Sequence, residues 1–235
     1  MYGFRKLQRS HFVSIEYRKF LTVTGMAVML LVNVCFGYDD EGFQYWSVVG
    51  FSHKLNKDWR VDFEQDFRLG DDGGNLYYEH SDLGFVYSGL ADWIDLGFNY
   101  RLVYEKDKND DRQPENRPHL NVTFKGKMFG WDISDRSRLE YRDRTDLEDV
   151  WRYRNKIAVK FPIELTDLKL QPYIANEAFI NFGPDDFAKN WFYTGFTFKL
   201  TKDIKADIYH MWQAKKTASE WEDVYVLGTK IIFIF

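Results

Sequence analysis

Cysteine is almost absent: 235 residues contain a single one, Cys35, so no intrachain disulfide can brace the fold. Strong net charge is missing too. The formal value is -4, and no basic tail or Arg-rich arm occurs, which excludes the electrostatic footprint of a nucleic-acid binder. No Gly-x-Ser-x-Gly, paired-cysteine or His-Glu-x-x-His pattern is present, so neither an enzyme nor a metal or cofactor site is expected. Long apolar runs are confined to one segment, Phe20 to Phe36, preceded by Arg18 and Lys19 and followed by Gly37, Asp39 and Asp40. That arrangement reads as a secretory signal spanning residues 1–37, cleaved after Gly37, with 38–235 as one domain. A retained signal anchor or a lipid-attached Cys35 are the alternatives, and all three export the chain.

Aromatic residues, by contrast, are abundant. They make up 19% of the chain, yet mean hydropathy is -0.48, so apolar side chains must be dispersed among charged ones. Alternating strands disperse them in this way. In WRVDFEQDFRL, Trp59, Val61, Phe63, Phe67 and Leu69 share a face with Gln65, while Arg60, Asp62, Glu64, Asp66 and Arg68 fill the other. Ile94 to Glu105 alternates likewise, with Ile94, Leu96, Phe98, Tyr100, Leu102 and Tyr104 on one side. Similar segments occur at 43–54, 76–87, 119–128, 131–142, 150–161, 169–180, 191–200, 204–213 and 225–235. Each is close to the length of a tilted membrane-crossing strand, about ten residues.

The predicted fold is all-β: an up-and-down antiparallel transmembrane barrel of ten to twelve strands. Eleven segments can be traced, whereas bacterial single-chain barrels have even counts. Either the first segment is not a full wall strand, or a further short strand lies around Tyr38 to Trp46. Connections are expected to alternate between short turns and longer polar loops (70–75, 106–117, 143–149, 181–190 and 214–222), the asymmetry of outer-membrane barrels. Trp59, Trp93 and Trp131 follow short turns, and Trp46, Trp151, Trp191, Trp212 and Trp221 lie near the opposite ends. Two belts of indoles at the lipid–water boundary would be placed in this way.

The chain finishes on YVLGTKIIFIF. A soluble domain ending so would have to bury an apolar edge strand, whereas a barrel in lipid pairs it on both sides. Tyr225, Ile231, Phe233 and Phe235 share one face, the aromatic-ended strand expected of a client of barrel-assembly machinery.

The segments FQYWSVVGFSHKLNKDWRVDFEQDFRL, NYRLVYE, RNKIAVKF and QPYIANEAF, with the final aromatic strand, resemble the uncharacterised barrel family known as domain of unknown function 2490. The resemblance runs from about Gln44 to Phe235. It implies an outer-membrane barrel of a Gram-negative envelope, with lipid and lipopolysaccharide as partners, and brings no reaction or ligand with it.

Any chemistry would lie on the inward face. Lys125, Lys127, Arg136, Arg138, Arg142, Arg152, Arg154, Lys156 and Lys160 form a candidate basic wall, with Glu140 among them. Asp62, Glu64, Asp66, Asp82, Asp95, Glu177 and Asp207 form a candidate acidic complement across the lumen. Two readings follow: a closed barrel with a charge-paired lumen and a structural or surface-interaction role, or a narrow diffusion path preferring small anionic solutes. A rim hydrolase is the remote third, with His119 beside Asp110, Asp111 and Glu115 as its best candidate. The acidic loop pairs Asp71–Asp72 and Asp110–Asp111 could alternatively hold a divalent cation. A soluble lipid-binding barrel would need its apolar face turned inward.

Overall fold

The computed structural model describes residues 43–70, 74–107, 109–145, 147–183, 187–216 and 220–235. The signal segment, Cys35 and the Asp71–Asp72 pair lie outside the described residues. Among those described, eleven strands follow one another: β1 Phe43–Lys54, β2 Trp59–Gly70, β3 Asn75–Ala91, β4 Ile94–Lys106, β5 Arg112–Met128 and β6 Trp131–Arg144. They continue with β7 Val150–Lys160, β8 Gln171–Asn181, β9 Phe187–Lys199, β10 Ile204–Lys216 and β11 Trp221–Ile234. Each pairs with its sequence neighbour, and β1 with β11, so the sheet closes into a barrel.

Closure explains the odd count. Alternating up and down through eleven strands leaves the first and last pointing the same way, so β1 and β11 pair in parallel, from Phe43 opposite Tyr225 to Ser52 opposite Ile234. The other pairs are antiparallel. The seam continues past the last strand residue, where the Phe235 N–H donates to Ser52 at 2.9 Å and the Lys54 N–H to the Phe235 carbonyl at 3.2 Å. Phe233 stacks on Phe51 at 5.4 Å across the same seam. As to the two readings of the odd count, Phe43–Lys54 is a full wall strand, and the part of the alternative short strand that precedes Phe43 lies outside the described residues.

Period-two alternation turns the charged face inward and the apolar face outward. Phe63, Phe85, Phe98, Leu120, Ile208 and Ile231 are all exposed on the outside, Phe98 by 56%. Outward polar side chains pair with one another along the sheet: Ser81 donates to Gln65, the Asn176 amide to Asn190, and the Asn155 amide to Asp135.

Two local features shape the wall. Phe129 and Gly130 both have positive φ, 52° and 84°, which makes the β5–β6 connection a two-residue turn whose twist matches the hairpin. Tyr209 stands between Gly195 on β9 and Gly228 on β11. Its ring occupies the space over Gly228, where an added Cβ would meet it at 2.0 Å, so a side chain there would displace the ring.

The expected alternation of connection lengths holds from β3 to β7, where two-residue turns alternate with five-residue connections, and fails elsewhere. β5 begins at Arg112 and β10 runs to Lys216, so strands enter segments read as polar loops. Backbone pairing does not require apolar side chains, and composition therefore overestimated the loops. The connection read as the short turn 162–168 is instead the longest, with a bridge between Leu165 and Leu170.

Candidate functional site: the lumen

Inside the barrel, acids and bases are interleaved instead of facing one another across a gap. Asp82 on β3 holds Arg101 of β4 at 2.7 Å and accepts from the Asn99 amide at 2.8 Å. Glu115 binds both Arg117 and Arg142, each at 2.6 Å. Glu140, with 0% of its surface exposed, is held by Arg152 and lies 3.5 Å from Arg154 and 4.0 Å from Arg138. Glu177 binds Arg154 at 2.7 Å and Arg136 at 2.8 Å, and accepts from the Tyr193 hydroxyl at 3.2 Å. Register explains the pattern: Glu140 stands directly opposite Arg152, and Glu177 opposite Lys156.

Toward the short turns the same logic holds. Asp62 accepts from Ser52 at 2.6 Å and Arg60 at 2.9 Å, Glu64 pairs with Lys230, and Asp66 pairs with Arg68 at 3.0 Å. Asp95 binds Lys125 at 2.7 Å. Asp207 stands opposite Lys230, and with Lys160 it lines the cavity at that end. The Lys156 ammonium sits 3.8 Å over the Tyr193 ring. Lys127 does not join the wall: it is exposed at the β5–β6 turn and pairs with Asp132 at 3.2 Å.

β8–β11 and β1 line the other side with Trp46, Phe179, Trp191, Tyr193, Met211 and Val226, a buried apolar cluster. This corrects the expectation for two indoles. Trp46 and Trp191 point into the lumen, 5.2 Å apart in an edge-to-face contact, because each shares strand parity with inward neighbours, Val48 and Tyr193. Trp59, Trp93, Trp151, Trp212 and Trp221 are exposed, and Trp131 lies half-buried against Phe161. Tyr225 stacks on His210, and Phe235 is exposed beyond β11.

His119 is also not where the rim reading put it. It is buried in the lumen, with Nε2 3.6 Å from Asp82 and Nδ1 3.2 Å from the Arg117 carbonyl. His80 lies between Glu64 and Asp66, 3.5 Å from each. Glu115, read as a loop carboxylate, lies inside on β5 because that strand starts earlier than its composition suggests.

Two cavities open inside the barrel among the described residues. One of about 480 Å³ faces the short turns and is lined by Arg60, Asp95, Lys160 and Lys230. The other, about 490 Å³, faces the opposite rim and is lined by Arg142, Lys189, Lys216 and Glu222. Trp46, Arg68, Arg101, Arg154 and Trp191 line both, and so form the partition between them. The partition is backed by Glu140, Glu177, Phe179, Met211 and Val226, none more than 1% exposed.

These features define a closed β-barrel with an apolar exterior and an ion-paired interior that holds two cavities. The chain belongs to the family described as "Protein of unknown function (DUF2490)", whose model matches residues 43–224. No curated protein matches it.

Proposed function

We propose that the protein is an outer-membrane barrel of a Gram-negative envelope whose lumen is sealed, with a structural or surface-interaction role and no through-flow of solutes. The observation that carries the sealed reading is the partition. A continuous water column would wet Trp46, Arg101, Arg154 and Trp191, and each is at most 6% exposed.

The outward apolar face supports the membrane. Large hydrophobic side chains exposed all round a barrel are stable against acyl chains and a liability in water. The inverted, soluble alternative needs the opposite alternation. The interior charges are those that would cost about 2–4 kcal/mol each at the midplane of the lipid face, which explains their inward parity. In this reading the exposed indoles are interfacial anchors, lipid and lipopolysaccharide surround the wall, and Phe233 and Phe235 serve recognition by barrel-assembly machinery.

Cell fractionation with a heat-modifiability gel tests the location. The expected result is recovery with the outer membrane and faster migration of the unheated band; recovery in the soluble periplasmic fraction would overturn the reading.

A further inference from the structure

The cavity at the rim opposite the short turns is lopsided in charge. Its lining carries six guanidiniums, from Arg68, Arg101, Arg117, Arg142, Arg152 and Arg154, and three lysines, against Glu105 and Glu222. Arg68 pairs with Asp66 and Arg101 with Asp82, but the other four guanidiniums are held from behind by shared carboxylates. Glu115 serves both Arg117 and Arg142, and Glu140 serves both Arg152 and Arg154. Glu177, the second partner of Arg154, is itself shared with Arg136. Among the described residues, positive charge is therefore left over on the cavity side.

Two further donor groups meet no acceptor among the described residues. The Lys189 ammonium has aromatic neighbours, 5.5 Å from the ring centres of both Phe179 and Trp191, and no carboxylate of a described residue lies within ion-pair distance of it. The Trp191 indole N–H, in a side chain that is 95% buried, has no hydrogen-bond partner among the described residues. A buried donor without a partner costs stability unless something supplies the acceptor. The apolar floor of Trp46, Phe179 and Trp191 lowers the local dielectric and strengthens any charge pairing made against it.

We propose that this cavity is a binding site for a small polyanion of the phosphate or carboxylate class, held by Lys189 and the half-compensated guanidiniums of Arg142 and Arg152. Planar guanidinium forks take either oxyanion in a bidentate manner. Because the partition lies beneath it, the anion is retained at the rim and does not pass through; this part of the proposal rests on the sealed-lumen reading.

Isothermal titration of the refolded barrel in detergent micelles with inorganic pyrophosphate, and in parallel with citrate, tests it. One site per barrel is expected for at least one of the two anions, weakening as salt rises. The difference between them identifies which oxyanion the cavity prefers. Lys189→Ala should raise Kd by about tenfold or more, equivalent to about 1.4 kcal/mol, and Lys189→Arg should restore most of it. Lys160→Ala, at the other end of the lumen, should leave it unchanged. Lack of heat with both anions at millimolar concentration, or an affinity indifferent to Lys189→Ala, would overturn the site. Titration with micelles of a phosphorylated glycolipid separates the sources: binding of the glycolipid alone would also overturn a small-anion site. Ion current after transfer of the same protein to a planar bilayer would overturn the sealed lumen but not the binding, so the two failures are distinguishable.

Discussion

On one side of the lumen, β8–β11 and β1 meet through Trp46, Phe179, Trp191, Met211 and Val226; on the other, β3–β7 meet through Asp82, Arg101, Arg117, Arg138, Glu140 and Arg152. Both sides bury the waist, but by different physics. The aromatic side is a hydrophobic core, where each contact is small and non-directional, and losing one leaves a cavity. The charged side is a chain of shared carboxylates, in which losing one acid strands two cations at once. The charged side should therefore be the more brittle, and it leaves the surplus of positive charge that faces the rim.

Glu140→Ala leaves Arg152 and Arg154 without their common partner and should cost about 3–5 kcal/mol, read as a lowered midpoint of urea unfolding from micelles. Val226→Ala removes two buried methyl groups on the aromatic side and should cost about 2 kcal/mol by the same measurement. A loss for Val226→Ala equal to or above that for Glu140→Ala would break the comparison. Lys230→Met affects Glu64, whose side chain is 30% exposed; water can resolvate the carboxylate, and about 1 kcal/mol or less is expected.

The smallest effect lies outside both sides, in the β4–β5 loop. The side-chain amide of Gln113 and the backbone N–H groups of Asn109 and Asp111 hold the Asp107 carboxyl below its usual range. A depressed folded pKa means that the loop's support is complete above the unfolded value, about 3.9, and is lost as pH falls through the folded one. Amide exchange at Asn109 and Asp111, corrected for intrinsic rates, should accelerate over that interval in the parent protein and not in Asp107→Asn. Barrel unfolding should be indifferent to the same substitution.

Much of the fold was legible because alternation is a property of single strands. The eleven segments, their inward and outward faces and the turn at Phe129–Gly130 can all be read from Ile94 to Glu105 and its counterparts. The seam was not legible: parity says which way Tyr45 or Leu227 points, but not that β1 lies parallel to β11. Distance from strand ends places Trp46 and Trp191 in the indole belts, whereas their face decides the matter; the alternation Trp46, Val48, Gly50 carries that signal. Glu140 could be seen on a basic strand, yet its place between Arg152 and Arg154 depends on cross-strand register, which no single segment encodes. Glu115 was hidden by a strand that continues through polar residues. The family match ends at residue 224, so it leaves out most of the terminal strand whose apolar ending first suggested a barrel in lipid.

Planar-bilayer recording shows whether the lumen is sealed at its waist. The refolded protein should insert and give no steady ionic current at physiological salt, while a variant combining Arg154→Ala with Phe179→Ala, which thins the partition from both sides, should leak. Well-resolved conductance steps from the unmodified protein would contradict the account, most decisively if they favoured anions.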